Sequence, residues 1–262
     1  MAKPPNDSKD QQLVAAAQSG TFETKPAAPQ RDASGETIGG FAFFLSLFAL
    51  LPTGLILSWI TILEVRPVEI RALECFAVAA AFGALLGHFF IRGRLSVFIH
   101  ETKHAILSNF AGNRRKGMRV DANSGHFVYS YTKKTAHLNA LISLAPYILP
   151  LFTVVGALVA LALLRDQRLV AVALVGTCYG VDLVLNIRDI SPIQSDISDI
   201  RGGYGVGLLY IFAWNLAIFA PLLAWILQGS PGVLLLLQRV TNFFMSLYLA
   251  VSDGGQLSGD GP

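Results

Sequence analysis

Two histidines and a glutamate in one short stretch are the residues of this chain whose types and spacing could do chemistry. His100, Glu101 and His104 form an H-E-x-x-H pattern. Side chains four residues apart lie one above the other on an α-helix, so the two imidazoles could bind one metal ion while Glu101 reaches a water molecule on that ion. Two neutral imidazoles, an open coordination position and an adjacent general base are the components of a zinc hydrolase.

The composition places this stretch in a membrane protein. Of the 262 residues, 53% are hydrophobic and only 14% are charged, whereas ordinary soluble domains carry about 25% charged residues. The hydrophobic residues form blocks of about 20, the length that crosses a bilayer. The net charge of +3 does not indicate nucleic acid, because the basic residues cluster beside these blocks. Both cysteines lie inside the blocks, which predicts neither a disulfide framework nor a cysteine-based zinc site.

We therefore predict an all-α polytopic membrane protein of about six transmembrane helices, with a small cytosolic β-hairpin after the H-E-x-x-H helix. The predicted spans are residues 40–63, 72–91, 138–164, 169–185, 205–227 and 232–251. The sixth is the weakest, because Arg239 in its middle must face protein, water or the interface. The chain then divides into a disordered N-terminal arm (1–39), the first span with its connection (40–71), a metalloprotease-like core (72–203), the C-terminal spans (204–251) and a flexible tail (252–262).

Local sequence patterns predict the hairpin and the orientation of the chain in the membrane. Residues 118–132 combine an Asn-Ser-Gly turn at 123–125 with alternating aromatic residues, which predicts two paired strands. Nine Lys and Arg residues lie between positions 92 and 136, against two in each of the connections before the second and fourth spans. This asymmetry predicts that the nine-charge segment, both termini and the connection at 187–203 are cytosolic.

A hydrolytic zinc site usually takes a third protein ligand, which must come from the same side of the bilayer. Asp182 is a candidate because an ionisable residue inside a span is a functional hypothesis by default. Asp196 and Asp199 are candidates because they follow a Ser-Pro helix start in the acidic connection. The residues on the required side are His126, His137, Asp182, Asp189, Asp196 and Asp199.

The H-E-x-x-H helix, the aromatic hairpin and the run H-L-N-A-L-I-S-L-A-P-Y-I-L-P at 137–150 resemble the site-2 protease family of membrane-embedded zinc metalloproteases. The similarity is closest to small bacterial members and covers residues 72–203. It implies an endopeptidase that cleaves membrane-associated substrates, with two His and one Asp on Zn²⁺ and the Glu as base. The Leu-Asp-Gly motif of that family does not occur in this chain. The resemblance assigns the role of the motif's aspartate to Asp196, the nearest match by position.

The predicted site therefore consists of His100, His104 and Asp196 around Zn²⁺, with Asp182 and Asp199 open as alternatives to Asp196. Glu101 is the predicted general base. His137 and Asn139, at the cytosolic start of the third span, are the predicted donors to the developing oxyanion. Because His100 lies nine residues beyond Ile91 on the far side of two arginines, we expect the site at or just beyond the cytosolic headgroups.

The expected partners are the lipid bilayer and a membrane-protein or peptide substrate, in a multi-pass protein of a bacterial inner membrane. Two other classes of function stay open. A non-catalytic membrane adaptor without a metal is favoured by the missing Leu-Asp-Gly. A small transporter, in which Asp182, Arg239 and the histidines line a pathway, is weakened by the lack of inverted repeats.

Overall fold

The computed structural model describes residues 51, 54–55, 59, 70–122 and 124–256. Most of them are helical. The elements, in chain order, are α1 (Ile70–Phe90), α2 (Arg94–Phe110), β1 (Arg114–Val120), β2 (Gly125–Ser130), a 3₁₀ turn (Ala136–Leu138), α3 (Asn139–Ser143), α4 (Ala145–Ile148), α5 (Leu151–Leu163), α6 (Arg168–Asp189), α7 (Ser195–Ser198), α8 (Gly203–Gln228) and α9 (Ser230–Gln256).

Within this part of the chain, three helices are long and apolar enough to cross a membrane: α1, α6 and α8. They coincide with the predicted second, fourth and fifth spans. The predicted arm at 1–39 and nearly all of the predicted first span at 40–63 lie outside the described residues, as does the end of the predicted tail, 257–262. The predicted sixth span lies within α9, which has 27 residues and is not among these three helices.

The predicted third span, residues 138–164, is not one continuous helix. It is divided into the 3₁₀ turn, α3, α4 and α5, and only α5 is a regular apolar helix, with 13 residues. Such a helix is about 20 Å long, shorter than the hydrocarbon layer. Pro146 and Pro150 explain the division, because neither can donate the backbone hydrogen bond that a continuous helix requires, and Leu149 between them is extended.

Helices α1 and α6 pack side by side through glycines. A Cβ atom added to Gly180 would lie 1.9 Å from the carbonyl oxygen of Ala80, and one added to Gly87 would lie 2.6 Å from Cγ1 of Val184. Small residues at such positions let two membrane helices approach backbone to backbone. Because the contacts advance along both helices in the same direction, α1 and α6 are parallel and their C-terminal ends lie on the same side.

Strands β1 and β2 form the predicted antiparallel hairpin. Met118 lies opposite Phe127 and Arg115 opposite Tyr129, with an irregularity in register between Arg115 and Gly117. Phe127 is buried and stacks on Tyr129, their ring centroids 5.6 Å apart. The hairpin lies against α2, so its second strand borders the H-E-x-x-H residues.

The largest buried apolar cluster surrounds the broken helix segment. The cluster contains Tyr147 and Ile148 of α4 and Leu144, the residue before α4. They pack with Ile197 of α7 and with residues of α8. Leu144, Tyr147 and Ile197 have no exposed surface. This core holds the segment at 140–150 and the connection at 195–200 against one another, and both border α2.

We expect Gly180→Ala to lower the thermal midpoint of the detergent-solubilised protein. The added methyl group would overlap the Ala80 carbonyl, so the helices must separate, at a cost of about 1–3 kcal/mol typical of overpacking. Thermal unfolding measures the effect. Gly205→Ala is the matched control, because nothing lies within 4 Å of its added Cβ; equal midpoints for the two variants would contradict the close packing.

Candidate metal centre

Helix α2 presents both histidines to a carboxylate from a distant part of the chain. Nε2 of His100 and Nε2 of His104 each lie 3.3 Å from the same oxygen, Oδ2 of Asp196. One possible ligand atom from each of the three residues lies within 4.8 Å of the others. Ligands about 2.0–2.1 Å from a tetrahedral Zn²⁺ are separated by roughly 3.3 Å. The three side chains therefore fit a metal ion with little movement.

The opposite nitrogen of each imidazole is held in place. Nδ1 of His104 donates a hydrogen bond to the carbonyl oxygen of Ile142 at 2.7 Å. Nδ1 of His100 lies 3.1 Å from Oδ2 of Asp189, the last residue of α6. Because a carbonyl oxygen only accepts, the His104 ring carries its proton on Nδ1 and keeps Nε2 available for a metal. Such partners fix the ring orientation of metal-binding histidines and raise their basicity.

The carboxylates of Asp189 and Asp196 also control the charge of His100. Burial disfavours a charge on His100, but the hydrogen bonds and charges of Asp189 and Asp196 outweigh it and raise the pKa of His100 to about 9. Burial likewise disfavours the Asp196 carboxylate, yet the two imidazoles hold its pKa below the usual range. Without a metal ion, His100 is therefore protonated at neutral pH, and a metal that binds there must displace this proton.

Glu101 lies beside the histidines and under the start of β2. It is buried, with 6% of its surface exposed. Burial is the largest influence on its carboxyl group and raises its pKa, although the neighbouring imidazoles oppose this. A Cβ atom added to Gly125 would lie 2.6 Å from Oε1 of Glu101, so a larger residue at the start of β2 would displace the Glu101 side chain. A carboxyl group with a raised pKa is suited to general-base chemistry near neutral pH.

A cavity of about 350 Å³ contains these side chains. Its walls come from α2, from β2 and the turn before it, from α3, and from the end of α6 with the connection that follows. The residues that line it are Ser96, Val97, His100, Glu101, His104, Ser124, Gly125, His126, Phe127, Tyr129, Ile142, Ser143, Asp189, Gln194, Ser195 and Asp196.

Comparison with known protein families supplies an independent observation. The model of the Peptidase M50B-like family matches residues 75–253, more than half of the chain. The chain belongs to this family. The match confirms the resemblance to site-2 proteases. No curated protein and no solved structure matches the chain.

Membership of the M50B-like family supports a protease, and M50 proteases are generally metalloproteases. Together with the apolar helices α1, α6 and α8, it also indicates a membrane protein. The matched range includes α2, the hairpin, α6 and the acidic connection, so every side chain of the candidate metal centre lies inside it.

Of the three carboxylates considered as third ligand of this M50B-like protein, only Asp196 lies beside the histidines. Asp182 is buried elsewhere, where its Oδ2 accepts hydrogen bonds from the backbone N–H and the hydroxyl of Thr153, at 2.7 and 2.9 Å. Asp199 is exposed at the C-terminal end of α7. Neither belongs to the cluster that could hold a metal.

The two residues suggested as oxyanion donors do not line the cavity. His137 is exposed in the 3₁₀ turn. Asn139 is buried, and its Oδ1 accepts a hydrogen bond of 3.3 Å from the hydroxyl of Tyr129. Tyr129 lines the cavity and Asn139 does not, so Asn139 reaches the site through Tyr129. His126 of β2 is exposed and borders the cavity.

Sequence reasoning gave no role to Lys103, which lies inside the H-E-x-x-H pattern. Only 1% of its surface is exposed. Its ammonium group donates to the carbonyl oxygen of Pro146 at 3.1 Å and to Oδ1 of Asn186 at 2.9 Å, and lies 3.6 Å from Oδ1 of Asp182. The signal in the sequence was the pair Asp182 and Asn186, two polar residues one helical turn apart inside an apolar span.

We expect Lys103→Met to destabilise the protein by about 3–5 kcal/mol, because it leaves the Asp182 carboxylate buried without its cation. Unfolding by denaturant in mixed micelles measures this difference. The double variant Lys103→Met/Asp182→Asn should recover part of the loss, while the exposed control Lys133→Met should unfold like the wild type. A stable single variant would show that the pair does not anchor α2.

We expect Asp189→Asn to weaken Zn²⁺ binding about 10-fold, since a neutral amide supports the His100 ring less strongly than a carboxylate does. Competition with a chromophoric chelator measures the change in dissociation constant. Asp199→Asn is the matched control, because that carboxyl group is exposed and outside the cluster. Equal affinity for the two variants would remove the role of Asp189.

Proposed function

We propose that this M50B-like protein is a membrane-embedded zinc endopeptidase that cleaves a membrane-associated protein or peptide at or near the cytosolic face of a bacterial inner membrane. One observation carries the proposal: a single Asp196 oxygen lies 3.3 Å from Nε2 of both histidines of the H-E-x-x-H helix. The buried carboxyl group of Glu101 lines the same cavity. Family membership supports the proteolytic class.

In this proposal His100, His104 and Asp196 would hold Zn²⁺, which would supply Lewis acidity and make a water molecule in the cavity easier to deprotonate. Asp189 and the Ile142 carbonyl keep the two imidazoles oriented. Glu101 accepts a proton from the attacking water and delivers it to the leaving amine. Its burial helps both steps, because a carboxyl group with a raised pKa binds and releases a proton nearer neutrality.

The second strand of the hairpin is the proposed support for the substrate. Strand β2 pairs with β1 on one edge, and Gly125, Phe127 and Tyr129 bring it to the wall of the cavity. An extended peptide that adds beside β2 would present its backbone to Glu101 in the conformation that cleavage requires. His126, also on β2, is the side chain of the cavity wall that we assign to stabilise the developing oxyanion.

A metal-free membrane adaptor is the second candidate, and the contacts of His100 with two carboxylates, those of Asp189 and Asp196, favour it. At a pKa of about 9, the protonated imidazole is satisfied by Asp189 and Asp196 without any ion. The two candidates differ in metal content. About one zinc per purified chain, lost in the double variant His100→Ala/His104→Ala, supports the enzyme; metal-free protein of normal stability supports the adaptor.

We expect Glu101→Gln to abolish cleavage while zinc stays bound, with a loss of about 10²–10⁴-fold in rate, because the amide cannot accept the proton. The measurement compares new protein N-termini in the membranes of cells that express each variant, together with the metal content of the purified chains. Glu74→Gln, an exposed acid-to-amide change on α1, is the control and should behave like the wild type. Identical N-termini from wild type and Glu101→Gln would contradict the proposed base.

A further inference from the structure

A second cavity lies outside the metal centre, where the C-terminal ends of α1 and α6 meet the start of α2. Its volume is about 370 Å³. Three basic side chains line it, those of His88, Arg92 and Arg188, together with Gly93 and Ser96 of the α1–α2 junction. No carboxylate is among the described residues that line it. The cavity is therefore basic. It shares Ser96 and Val97 with the wall of the metal-centre cavity, and Arg188 lies 3.7 Å from Asp189, but neither Glu101 nor the two metal-centre histidines line it.

Both arginines are exposed, and each donates a hydrogen bond to a backbone carbonyl oxygen. Arg188 donates to the carbonyl oxygen of Ile91 at 2.7 Å and to the hydroxyl of Ser96. Nε of Arg92 donates to the carbonyl oxygen of His88 at 2.6 Å, and the guanidinium carbon lies 5.6 Å from the centroid of the Phe89 ring. Its two Nη groups have no hydrogen-bond partner among the described residues. These Nη groups are donors that an anion can use.

The start of α2 adds positive potential at the same place. The helix begins after Gly93, which has a φ of 55°, with no side-chain cap and no acidic residue in its first turn. The backbone N–H groups of a first turn have no partner within their own helix, and the helix dipole places partial positive charge there. An anion beside Gly93 and Ser96 would meet both these N–H groups and the two guanidinium groups.

The position of the cavity identifies the anion. Helices α1 and α6 are both candidate membrane spans, they are parallel, and both end at this cavity. A site at the ends of two spans lies at the level of the phospholipid headgroups. Basic cavities between membrane helices at this level recognise the phosphate of anionic lipids. We infer that His88, Arg92 and Arg188 form a binding site for the phosphate group of an anionic phospholipid, an inference that does not depend on the proposed proteolysis.

Basic residues also occur beside membrane spans because they set the orientation of the chain. The test must therefore distinguish a specific phosphate site from a generally positive surface. The purified full-length chain is titrated in detergent with phosphatidylglycerol or phosphatidylcholine, and bound lipid is counted by native mass spectrometry. The wild type should retain phosphatidylglycerol preferentially. Arg92→Gln should reduce this retention roughly fivefold, an effect of the order that one basic residue has at an anionic surface.

Arg94→Gln is the matched control, because it removes the same charge two residues away from an exposed side chain that does not line the cavity. It should retain phosphatidylglycerol like the wild type. Ala122→Asp is the second variant: it places a carboxylate on the exposed rim without removing a contact, and it should abolish the preference. Equal losses in Arg92→Gln and Arg94→Gln, or no preference in the wild type, would overturn the inference.

A further arm of the experiment separates a lipid headgroup from free phosphate. Millimolar inorganic phosphate is added to the chain loaded with phosphatidylglycerol. Retention of the lipid supports the headgroup site, because the acyl chains contribute binding that free phosphate lacks. Complete displacement of the lipid by inorganic phosphate would overturn the assignment to a lipid.

Discussion

A buried ammonium group must be surrounded by acceptors, and this requirement organises the centre of the molecule. Lys103 projects from α2 into the protein, where the Pro146 carbonyl, the Asn186 amide and the Asp182 carboxylate surround it. Losing any one of these partners would leave a charged or polar group without compensation in a dry environment. The three contacts fix α2 against α6 and against the broken helix, and the positions of both histidines follow from that of α2.

The same helix end serves two sites of opposite charge. Asp189, the last residue of α6, orients His100, while its neighbour Arg188 faces the basic cavity and lies 3.7 Å from the Asp189 carboxylate. An anion near Arg188 and a cation near His100 would therefore act on adjacent residues of one rigid helix. Close glycine packing between α1 and α6 supports this end, because the helices cannot slide without carbonyl groups meeting side chains.

Local patterns in the sequence were sufficient for the H-E-x-x-H helix, the hairpin and the spans formed by α1, α6 and α8. Hydrophobic block length and turn chemistry determine these elements, and both can be read from neighbouring residues. The division of the predicted third span was not foreseen, because its apolar composition hides the effect of Pro146 and Pro150. The contacts of Lys103 with Asn186 and of His100 with Asp189 were not predictable, since they join residues more than 80 positions apart and depend on how α2 packs against α6.

The broken helix at 145–150 determines which parts of the structure are hardest to separate around the cavity. Its freed carbonyl groups are bound by α2, α6 and α8 at once: Lys103 takes that of Pro146, and the amides of Asn186 and Asn215 share that of Tyr147. Separation of these three helices would break all of these hydrogen bonds, and no water is available there to form new ones. The hairpin that borders Glu101 is joined to the helices by one side-chain hydrogen bond among the described residues, from the Tyr129 hydroxyl to Asn139, and by the buried ring of Phe127. Separating these helices would therefore break more buried hydrogen bonds than displacing the hairpin would.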